Sequence, residues 1–437
     1  MIRSSTAALA LLLLLAAGCD QGEASEEPDE AGGSSGSSGA GASAGNAGVG
    51  GAGPGGAAGI GGAGGSGGAG AGGAGGSAGS GGAGAAGGAG GGSSFRYGIK
   101  PQGADPAHAF NAYDHFKASF FVDCGGNRVR VASGSGSQET VSEGMGYGML
   151  MVAYLEPDAT GPALMNRLLA FVNSKLDNNQ LMHWKVSCDS VYEQNAATDG
   201  DLDYALALIQ AERRWPNQGF GTSAKKFLGA ILSHETDSCG LKPGDVWGGC
   251  NSEANPSYAA LGYLETFRCF TGNSAWSGVR SNTMTRQLAY WHANYTLPPD
   301  WVSVDSSASS GRFSRGAYRY DAARVPWRLG LDYLWHGGDD AGAQAHKIIN
   351  HFKAAAADPS TIGDGYDHQT GNKIGNNHNA VFVGPLAIGA MVHPSHQDWL
   401  NRIYGELVGL ELGTYYSDAL RVIALMATTG LFTNPCE

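Results

Sequence analysis

Residues 140–149, Thr140-Val141-Ser142-Glu143-Gly144-Met145-Gly146-Tyr147-Gly148-Met149, place one carboxylate among three glycines, directly before the apolar run 149–155. Ser is a common helix cap and the apolar run predicts a buried helix, so we expect Glu143 in or near its first turn. The glycines would let another surface approach the backbone closely. A lone carboxylate at such a position is more often a cap or an ion-pair partner than a catalytic group, so the other acidic segments decide its role.

Helical periodicity recurs throughout the chain after residue 94. Between 201 and 215, for example, Leu202, Ala205, Leu206 and Ile209 fall on one face at helical spacing. Strand alternation is scarce. We predict an all-α domain of about twelve helices, at 113–122, 145–155, 162–176, 201–215, 223–234, 257–270, 281–294, 322–335, 341–357, 379–391, 395–410 and 417–429. This number of helices fits a closed ring of helical hairpins better than a small bundle.

The first 94 residues have a different composition. Residues 1–18 contain Arg3 and the apolar run 7–17, which is typical of a signal peptide and too short for a transmembrane helix. The small residues before Cys19 resemble a lipoprotein cleavage site, so we expect Cys19 to be lipidated; ordinary cleavage that leaves Cys19 free is the alternative. Residues 19–94 are acidic up to Glu30 and then almost entirely Gly, Ala and Ser, which predicts a disordered tether.

A single domain is expected at 95–437, because no second linker interrupts it. The whole chain has 27 basic and 39 acidic residues; without Arg3 and the six acids of 20–30, the domain keeps 26 and 33, a net charge of −7. An acidic domain without a basic stripe argues against nucleic acid or an anionic membrane as its ligand. We therefore expect an exported monomer, extracellular or an outer-envelope lipoprotein, that touches a membrane only through its N-terminal lipid.

Six cysteines lie in the domain, and an even number in an exported domain predicts up to three disulfides. Cys239 and Cys250 are close enough in sequence to close a short loop. The chain has no Cys-x-x-Cys pair that would indicate zinc or redox chemistry, and we expect neither a metal nor a cofactor. The six are Cys124, Cys188, Cys239, Cys250, Cys269 and Cys436.

Three aspartates, Asp199, Asp201 and Asp203, open the helix predicted to end at 215. Acidic residues at a helix start are stabilised by its free N–H groups, so surplus capping is the simplest interpretation. A calcium loop is disfavoured because Tyr204 stands where glycine is needed and Gln210 where the final glutamate belongs. The remaining alternative is that Asp199 points into a cleft.

Asp321 and Arg324 lie one helical turn apart and can share a face. An exposed pair of this kind stabilises a protein by only about 0.5 kcal/mol. In a cleft, the same arginine could orient Asp321 while keeping it ionised.

Aromatic residues stand in the loops between these acids, among them Trp184, Trp247 and Tyr258. Each of them alone would be assigned to a hydrophobic core. Several loop aromatics beside carboxylates, in an exported acidic protein, indicate a groove in which sugar rings stack on aromatic faces.

Three segments resemble those of glycoside hydrolase family 8. Residues 140–149 are similar to the family's Ser-Glu-Gly-x-x-Tyr-Gly-Met segment. Residues 197–215 are similar to its signature, except that Tyr204 stands where Ile or Met is usual. Residues 320–328, Tyr-Asp-Ala-x-Arg-x-Pro-Trp-Arg, form the third match, and 255–258 and Trp184 match less specifically. The segments occur in the family's order and cover the chain from about residue 97.

The resemblance implies an (α/α)6 barrel that hydrolyses β-1,4-linked polysaccharide with inversion at the anomeric carbon. Carried over by position, it implies Glu143 as general acid, Asp321 as general base, Asp199 as the group that binds and distorts the sugar at the cleavage point, Tyr258 and Arg324 as residues that hold the water and its base, and Trp184 and Tyr320 as the lining of the sugar subsites.

We therefore expect an endoglucanase acting on cellulose-type or mixed-linkage β-glucan, with xylanase and chitosanase as alternatives on the same scaffold. A non-catalytic carbohydrate-binding lipoprotein would be expected to lack Glu143 or Asp321, whereas both are present. A structural lipoprotein of the envelope, whose sugar-like groove is incidental, is a further alternative. A general acid must hold its proton: burial and Asp199 would raise the pKa of Glu143, whereas a helix start would lower it. The glycines around Glu143 would leave room for a sugar ring.

Overall fold

The computed structural model describes residues 95–134, 136–250, 252–304, 314–315 and 317–437, so the predicted signal peptide, Cys19 and the tether lie outside the described residues. The described residues form thirteen α-helical segments: α1 (Pro106–Phe120), α2 (Ser142–Leu155), α3 (Gly161–Asn173), α4 (Thr198–Arg214), α5 (Phe220–His234), α6 (Leu261–Thr271), α7 (Ala275–Thr283), α8 (Ala289–Asn294), α9 (Val325–His336), α10 (Asp339–Ala355), α11 (Ala380–Ala390), α12 (Gln397–Gly409) and α13 (Tyr415–Thr428). A π-helical stretch, Met284–Leu288, joins α7 to α8. If α7, the π-helical stretch and α8 are counted as one helix, the described residues contain twelve helices, the number that the sequence predicts.

Six of these helices form a closed inner ring. In order around the ring, α2, α4, α6, α9, α11 and α13 each pack against the next, and α13 packs back on α2. The other helices, α1, α3, α5, the joined α7 and α8, α10 and α12, form an outer layer on the inner ones. The chain thus alternates between the two layers, which confirms the predicted (α/α)6 barrel.

Side-chain composition separates the two layers. Every residue of α11 is buried, and all of α2 is buried except Glu143. Helices that are apolar on all sides must be covered on all sides. The outer helix α12 instead buries a single face, which consists of Trp399, Leu400, Ile403, Tyr404 and Leu407.

Glycines permit the close crossing of α2 and α4. A Cβ atom on Gly200 would lie 2.5 Å from the carbonyl carbon of Ser142 and 2.7 Å from the backbone nitrogen of Glu143. On α2, a Cβ on Gly146 would lie 2.9 Å from the Gly200 carbonyl oxygen, and one on Gly144 would lie 2.6 Å from the Tyr415 hydroxyl. The prediction that these glycines leave room for a sugar ring is therefore wrong, because they face neighbouring protein.

The start of α2 also differs in detail from the prediction. Val141 occupies the N-cap position without a side-chain hydrogen bond, and Ser142 is already the first helical residue. Glu143 lies in the first turn, as predicted. A two-residue strand, Thr140–Val141, ends immediately before the helix.

Short antiparallel strands occupy the loops. They are β1 (Phe121–Gly125), β2 (Arg128–Val131), β3 (Thr140–Val141), β4 (His183–Val186), β5 (Val191–Ala196), β6 (Thr236–Asp237), β7 (Gly240–Leu241), β8 (Glu253–Ala254), β9 (Trp301–Ser303) and β10 (Ser314–Arg315). They pair as β1–β2, β3–β4–β5, β6–β7 and β8–β9–β10. In the β3–β4–β5 sheet, β3 ends just before α2 and Glu143. In the β8–β9–β10 sheet, β8 lies just before Tyr258 in sequence and β9 contains Trp301.

Three disulfides join the six domain cysteines in pairs. Cys239 bonds to Cys250, which confirms that predicted loop. The other pairs are Cys124–Cys188 and Cys269–Cys436. Among the described residues, no helix is both long enough and apolar enough to cross a membrane.

Candidate active site

Arg324 joins the three predicted catalytic carboxylates. Its Nη1 donates to Glu143 Oε2 at 2.5 Å and to Asp199 Oδ2 at 2.7 Å. Its Nη2 donates to Asp321 Oδ1 at 2.6 Å. The sequence suggests contact between Arg324 and Asp321 only, one turn apart, whereas Glu143 and Asp199 lie 181 and 125 residues away along the chain. The buried guanidinium is therefore the centre of the site.

The barrel brings these residues together by aligning the starts of its inner helices. Glu143 and Asp199 are each the second residue of their helices, α2 and α4. Arg324 directly precedes α9, and Tyr415 is the first residue of α13. Helix starts carry a partial positive charge, so this end of the ring favours a cluster of acidic groups.

Glu143 has the electrostatics of a proton donor. Burial raises the pKa of Glu143 to about 7; Arg324 opposes this shift, and the negative charges of Asp199 and Asp321 add to it. The side chain is 19% exposed, so the carboxyl group remains accessible to solvent. Tyr415 donates from its hydroxyl to Oε1 at 3.4 Å. A carboxyl group with this pKa is substantially protonated near neutral pH.

Asp321 is held at both oxygens. Besides Arg324 on Oδ1, the indole Nε1 of Trp301 donates to Oδ2 at 3.1 Å. Burial raises the pKa of Asp321, whereas Arg324, a hydrogen bond from the Asn255 side chain and the Trp301 N–H work against that rise by favouring the ionised form. Its side chain is 32% exposed, which leaves it the most accessible of the three carboxylates.

Asp199 is the most enclosed of the three. It is 3% exposed, and its second oxygen accepts a hydrogen bond from the Gly200 backbone N–H at 2.9 Å. Its neighbours Asp201 and Asp203 point to other partners. Asp203 is paired by both Nη groups of Arg328, whereas Asp201 accepts from the Tyr204 hydroxyl. The three aspartates diverge, so they do not converge on a single cation as a calcium loop would require.

Tyrosines enclose the guanidinium and the acids. The Tyr258 ring lies 5.5 Å from the guanidinium carbon of Arg324, a cation–π distance, and the Tyr147 hydroxyl lies 3.4 Å from Nη1. Burial raises the pKa values of Tyr147, Tyr258 and Tyr415 well above the usual range, so these hydroxyls stay neutral. Tyr147 and Tyr415 were not assigned a role from the sequence. Tyr147 stands within the quoted segment 140–149, and Tyr415 had no comparable signal.

Tyr320 and Trp184, the other two aromatics predicted to contact sugar, lie near different carboxylates of the site. Tyr320 is 40% exposed beside Asp321, and its hydroxyl donates to Asp364 Oδ2 at 2.9 Å. Trp184 lies on β4, whose neighbouring strand β3 leads into Glu143. The structure thus brings Tyr320 next to the predicted base, and Trp184 one strand away from the predicted acid.

A group of three aromatics lies on the Asp321 side; the sequence indicated Trp247 and Tyr258 but not Trp301. The Trp301 ring centroid is 5.6 Å from that of Trp247 and 6.3 Å from that of Tyr258. Trp247 is 41% exposed, so the group presents an aromatic face to solvent. Trp301 lies twenty residues before Asp321 and outside every quoted segment, so no pattern in the sequence indicated it.

Potential metal ligands cluster elsewhere. Asp237, Cys239 and Cys250 offer atoms within 4.8 Å of one another, but the two cysteines form a disulfide and supply no thiolate. In the part of the chain that the structure describes, no other trio of His, Cys, Asp or Glu side chains meets that spacing.

Comparison with solved structures agrees with this architecture. A β-1,3-1,4-glucanase from Paenibacillus sp. X4 superposes with a TM-score of 0.70 at 25% identity, over 77% of this chain and 95% of that one. The endo-β-1,4-glucanase CMCax from Acetobacter xylinum superposes with a TM-score of 0.58, also at 25% identity, over 75% of this chain and 99% of that one.

Sequence comparison leads to the same group of proteins. Endoglucanase A from Acetivibrio thermocellus is 35% identical over 326 residues, which cover 71% of this chain and 66% of the relative. The matched part therefore spans just under two thirds of that relative's length. The sequence profile described as glycosyl hydrolases family 8 matches residues 102–430, which include every residue of the carboxylate site. The chain belongs to glycosyl hydrolases family 8.

Proposed function

We propose that this protein is an endo-acting glycoside hydrolase that cleaves β-1,4-linked glucan, of cellulose type or mixed linkage, with inversion. One observation carries the proposal: a carboxyl group with a pKa of about 7, Glu143, and a second carboxylate, Asp321, flank the same guanidinium. An inverting hydrolase needs one protonated and one ionised carboxyl group on opposite sides of the bond that breaks.

Each residue has a role in this reaction. Glu143 donates its proton to the glycosidic oxygen as the bond to the anomeric carbon breaks. Asp321 accepts a proton from the water that attacks the opposite face of the sugar. Because one planar guanidinium contacts both groups, their nearest oxygens lie at most about 7.5 Å apart. That bound admits both the roughly 6.5–9.5 Å separation of inverting hydrolases and the roughly 5–5.5 Å of retaining ones, so the product anomer decides between them.

The remaining predicted residues position the sugar and the water. We assign to Asp199 the binding and distortion of the sugar at the cleavage point, an assignment supported by the Nη1 of Arg324 that it shares with Glu143. Tyr258 and Arg324 lie against the base side and would hold the water. Trp184 and Tyr320 would stack sugar rings on either side of the cleavage point.

The choice of glucan rests on the relatives. The similar proteins are named as an endoglucanase, an endo-β-1,4-glucanase and a β-1,3-1,4-glucanase. Partly exposed aromatic faces suit any pyranose, so substrate assays must separate glucan from xylan and chitosan. Carboxymethyl cellulose and barley glucan should release reducing ends, with much less from the other two polymers. Preferred hydrolysis of xylan or chitosan would overturn the choice of glucan.

Inversion has its own test. Following a fresh digest by proton NMR should show the new reducing end first as the α-anomer, which then mutarotates. A product that first appears as the β-anomer would exclude the inverting assignment of Glu143 and Asp321.

We further propose that the protein is exported, anchored through a lipid on Cys19 and monomeric. The apolar run 7–17 and the small residues before Cys19 support the anchor. Palmitate labelling should mark the full-length chain, and Cys19→Ser should abolish the label and release activity from the membrane fraction. Equal labelling of the wild-type protein and Cys19→Ser would contradict a lipid anchor on Cys19. Light scattering of the purified protein should give a molar mass of about one protomer, whereas a mass of two or more protomers would contradict the monomer.

A further inference from the structure

Trp301 contacts the predicted base through its indole N–H. When a tryptophan is buried, this group usually has a hydrogen-bond partner. Its Nε1–H donates to Asp321 Oδ2 at 3.1 Å, opposite the Arg324 bond to Oδ1. A carboxylate offers about four lone-pair positions. The Asn255 side chain also hydrogen-bonds to Asp321. The Arg324 and Trp301 bonds, one on each oxygen, act with it to restrict rotation of the carboxylate.

The residue before Trp301 holds the backbone that carries the base. Asp300 Oδ1 accepts from the backbone N–H groups of Arg319 at 3.0 Å and Ala322 at 2.8 Å, on either side of Asp321. The Asp300 N–H in turn donates to the Ala317 carbonyl at 2.9 Å. Asp300 therefore hydrogen-bonds to the backbone around Asp321, and Trp301 hydrogen-bonds to the Asp321 side chain.

Packing fixes the indole itself. Trp301 begins β9, the central strand of the β8–β9–β10 sheet. Its ring packs between those of Trp247 and Tyr258. The Nε1–H is thus directed at Asp321 by a strand on one side and by two aromatic rings on the other.

We propose that Trp301 is a positioning residue for the general base: its indole N–H fixes the Asp321 carboxylate in the orientation that accepts the proton of the attacking water. This inference rests on the proposed function, which assigns Asp321 as the base. Trp301 does not touch the reacting atoms itself. It acts through Asp321, and it links the base to the aromatic face formed with Trp247.

Trp301→Phe tests the proposal, because phenylalanine keeps an aromatic ring and removes the N–H. We expect kcat to fall about 10-fold or more, less than the ~100- to 10,000-fold loss on removing a general base, with KM within about twofold of the wild type. Arg324, the Asn255 side chain and the Trp301 N–H favour ionised Asp321, whereas the negative charges of Asp199 and Asp300 oppose its ionisation. Without the N–H, the acid limb of the kcat profile should therefore move to higher pH. A merely structural role would not move that limb.

Trp247→Phe is the matched comparison, since it alters the same aromatic face without touching Asp321. We expect KM to rise and the acid limb to stay in place. If Trp301→Phe fails to fold, as judged by circular dichroism, replacement of Trp301 by 3-benzothienylalanine removes the N–H with almost no change of shape and carries the same expectation.

The outcomes separate this proposal from the proposed function. Asp321→Asn that keeps activity would overturn the assignment of the base, and with it both proposals. An inactive Asp321→Asn together with wild-type kcat and an unmoved acid limb in the Trp301 variant would overturn the positioning role alone.

Discussion

Glu143 lies at a helix start, where free backbone N–H groups favour a carboxylate over a carboxylic acid. Arg324 at 2.5 Å favours the ionised form as well. Burial nevertheless outweighs both, and the pKa of Glu143 rises to about 7. The question that the sequence left open is thus decided by the enclosure of α2 in the barrel, which no local pattern around Glu143 reveals.

Replacing Glu143 tests this assignment. We expect Glu143→Gln to lower kcat on β-glucan by ~100- to 10,000-fold, because glutamine cannot donate a proton to the leaving oxygen. In the wild type, kcat should decline above about pH 7 as Glu143 loses its proton, and the residual activity of the variant should lack that decline. Steady-state kinetics between pH 5 and 9 measures both effects.

Glu139→Gln is the matched control, since Glu139 pairs with Lys185 at the surface and lies outside the site. It should retain wild-type kinetics across the same pH range. Full activity in Glu143→Gln would show that another group protonates the leaving oxygen.

At the scale of helices and strands, the sequence predicts long periodic segments well and their ends less well. The first helix starts at Pro106 rather than at 113, because the Asp105 side chain caps it and Pro106 suits a first turn. The π-helical stretch 284–288 and the two- to six-residue strands carry no periodic signal of their own. The π-helical stretch and the short strands are determined by contacts between distant segments, so a local sequence pattern cannot predict them.

Gly200 tests the close crossing of α2 and α4. We expect Gly200→Ala to destabilise the protein by roughly 1–3 kcal/mol, because the new methyl group would overlap the backbone of Ser142 and Glu143. Since the overlap moves the first turn of α2, kcat should fall as well. Urea unfolding and kinetics measure the two effects.

Gly229→Ala in α5 is the control for helix propensity. A Cβ there meets nothing within 4 Å, so alanine should be neutral or stabilise by up to about 1 kcal/mol. Equal stability changes in the two variants would contradict a steric requirement at Gly200.

A second pair of buried acids links α4 to the end of α5. Asp201 and Glu235 are both fully buried, and their carboxyl groups hydrogen-bond to each other. Burial raises the pKa of Asp201 to about 7, and burial and Asp201 raise the pKa of Glu235 well above its usual range. Two such groups in contact do not both ionise, so they share a proton. The pair also faces the backbone N–H of Met182 and the side chains of Thr198, Tyr204, Asp199 and Asp245.

This pair predicts a stability that depends on pH. The folded protein keeps protons on this pair that the unfolded chain releases above pH about 4. The free energy of unfolding should therefore fall as pH rises through about 7, where Asp201 ionises, and keep falling above it while Glu235 stays protonated. Glu235→Gln supplies a neutral partner for Asp201 and should weaken this dependence. We expect the drop in Tm between pH 5 and 8 to be smaller by roughly 2 °C or more.

Glu212→Gln provides the control for this measurement. Glu212 also lies between α4 and α5, where it accepts from the Gly221 backbone N–H, but it is not part of the pair. Its variant should show the wild-type drop in Tm. The same drop in Glu235→Gln would count against a shared proton.

For the whole molecule, the closed ring assembles one site from five distant parts of the chain. Residues 143, 199, 258, 321 and 415 belong to five different inner helices or to the loops that lead into them. The residues that the sequence indicated lie in segments with a recognisable pattern. Trp301 and Tyr415 were missed because their roles arise from ring closure, which places β9 and the start of α13 beside residues far away in sequence.

The disulfides allow stability and activity to be separated at this scale. Cys269–Cys436 ties the end of the chain to the C-terminal part of α6, at the opposite end of that inner helix from the site. It spans 167 residues, whereas Cys239–Cys250 spans 11 and closes the loop that contains Trp247. Loop-closure entropy grows with the span, so the long disulfide should contribute about 5 kcal/mol and the short one about 3 kcal/mol.

Replacing both cysteines of each pair by serine avoids stray thiols. We expect the Cys269→Ser/Cys436→Ser protein to lose more in Tm while its kcat/KM on β-glucan at 25 °C stays within about twofold of the wild type. The Cys239→Ser/Cys250→Ser protein should lose less in Tm but show a raised KM, because the released loop no longer holds Trp247 against Trp301. Thermal unfolding and kinetics on the same samples decide the matter. If the long pair changes KM and the short pair does not, the loop closed by Cys239–Cys250 does not shape the sugar-binding face.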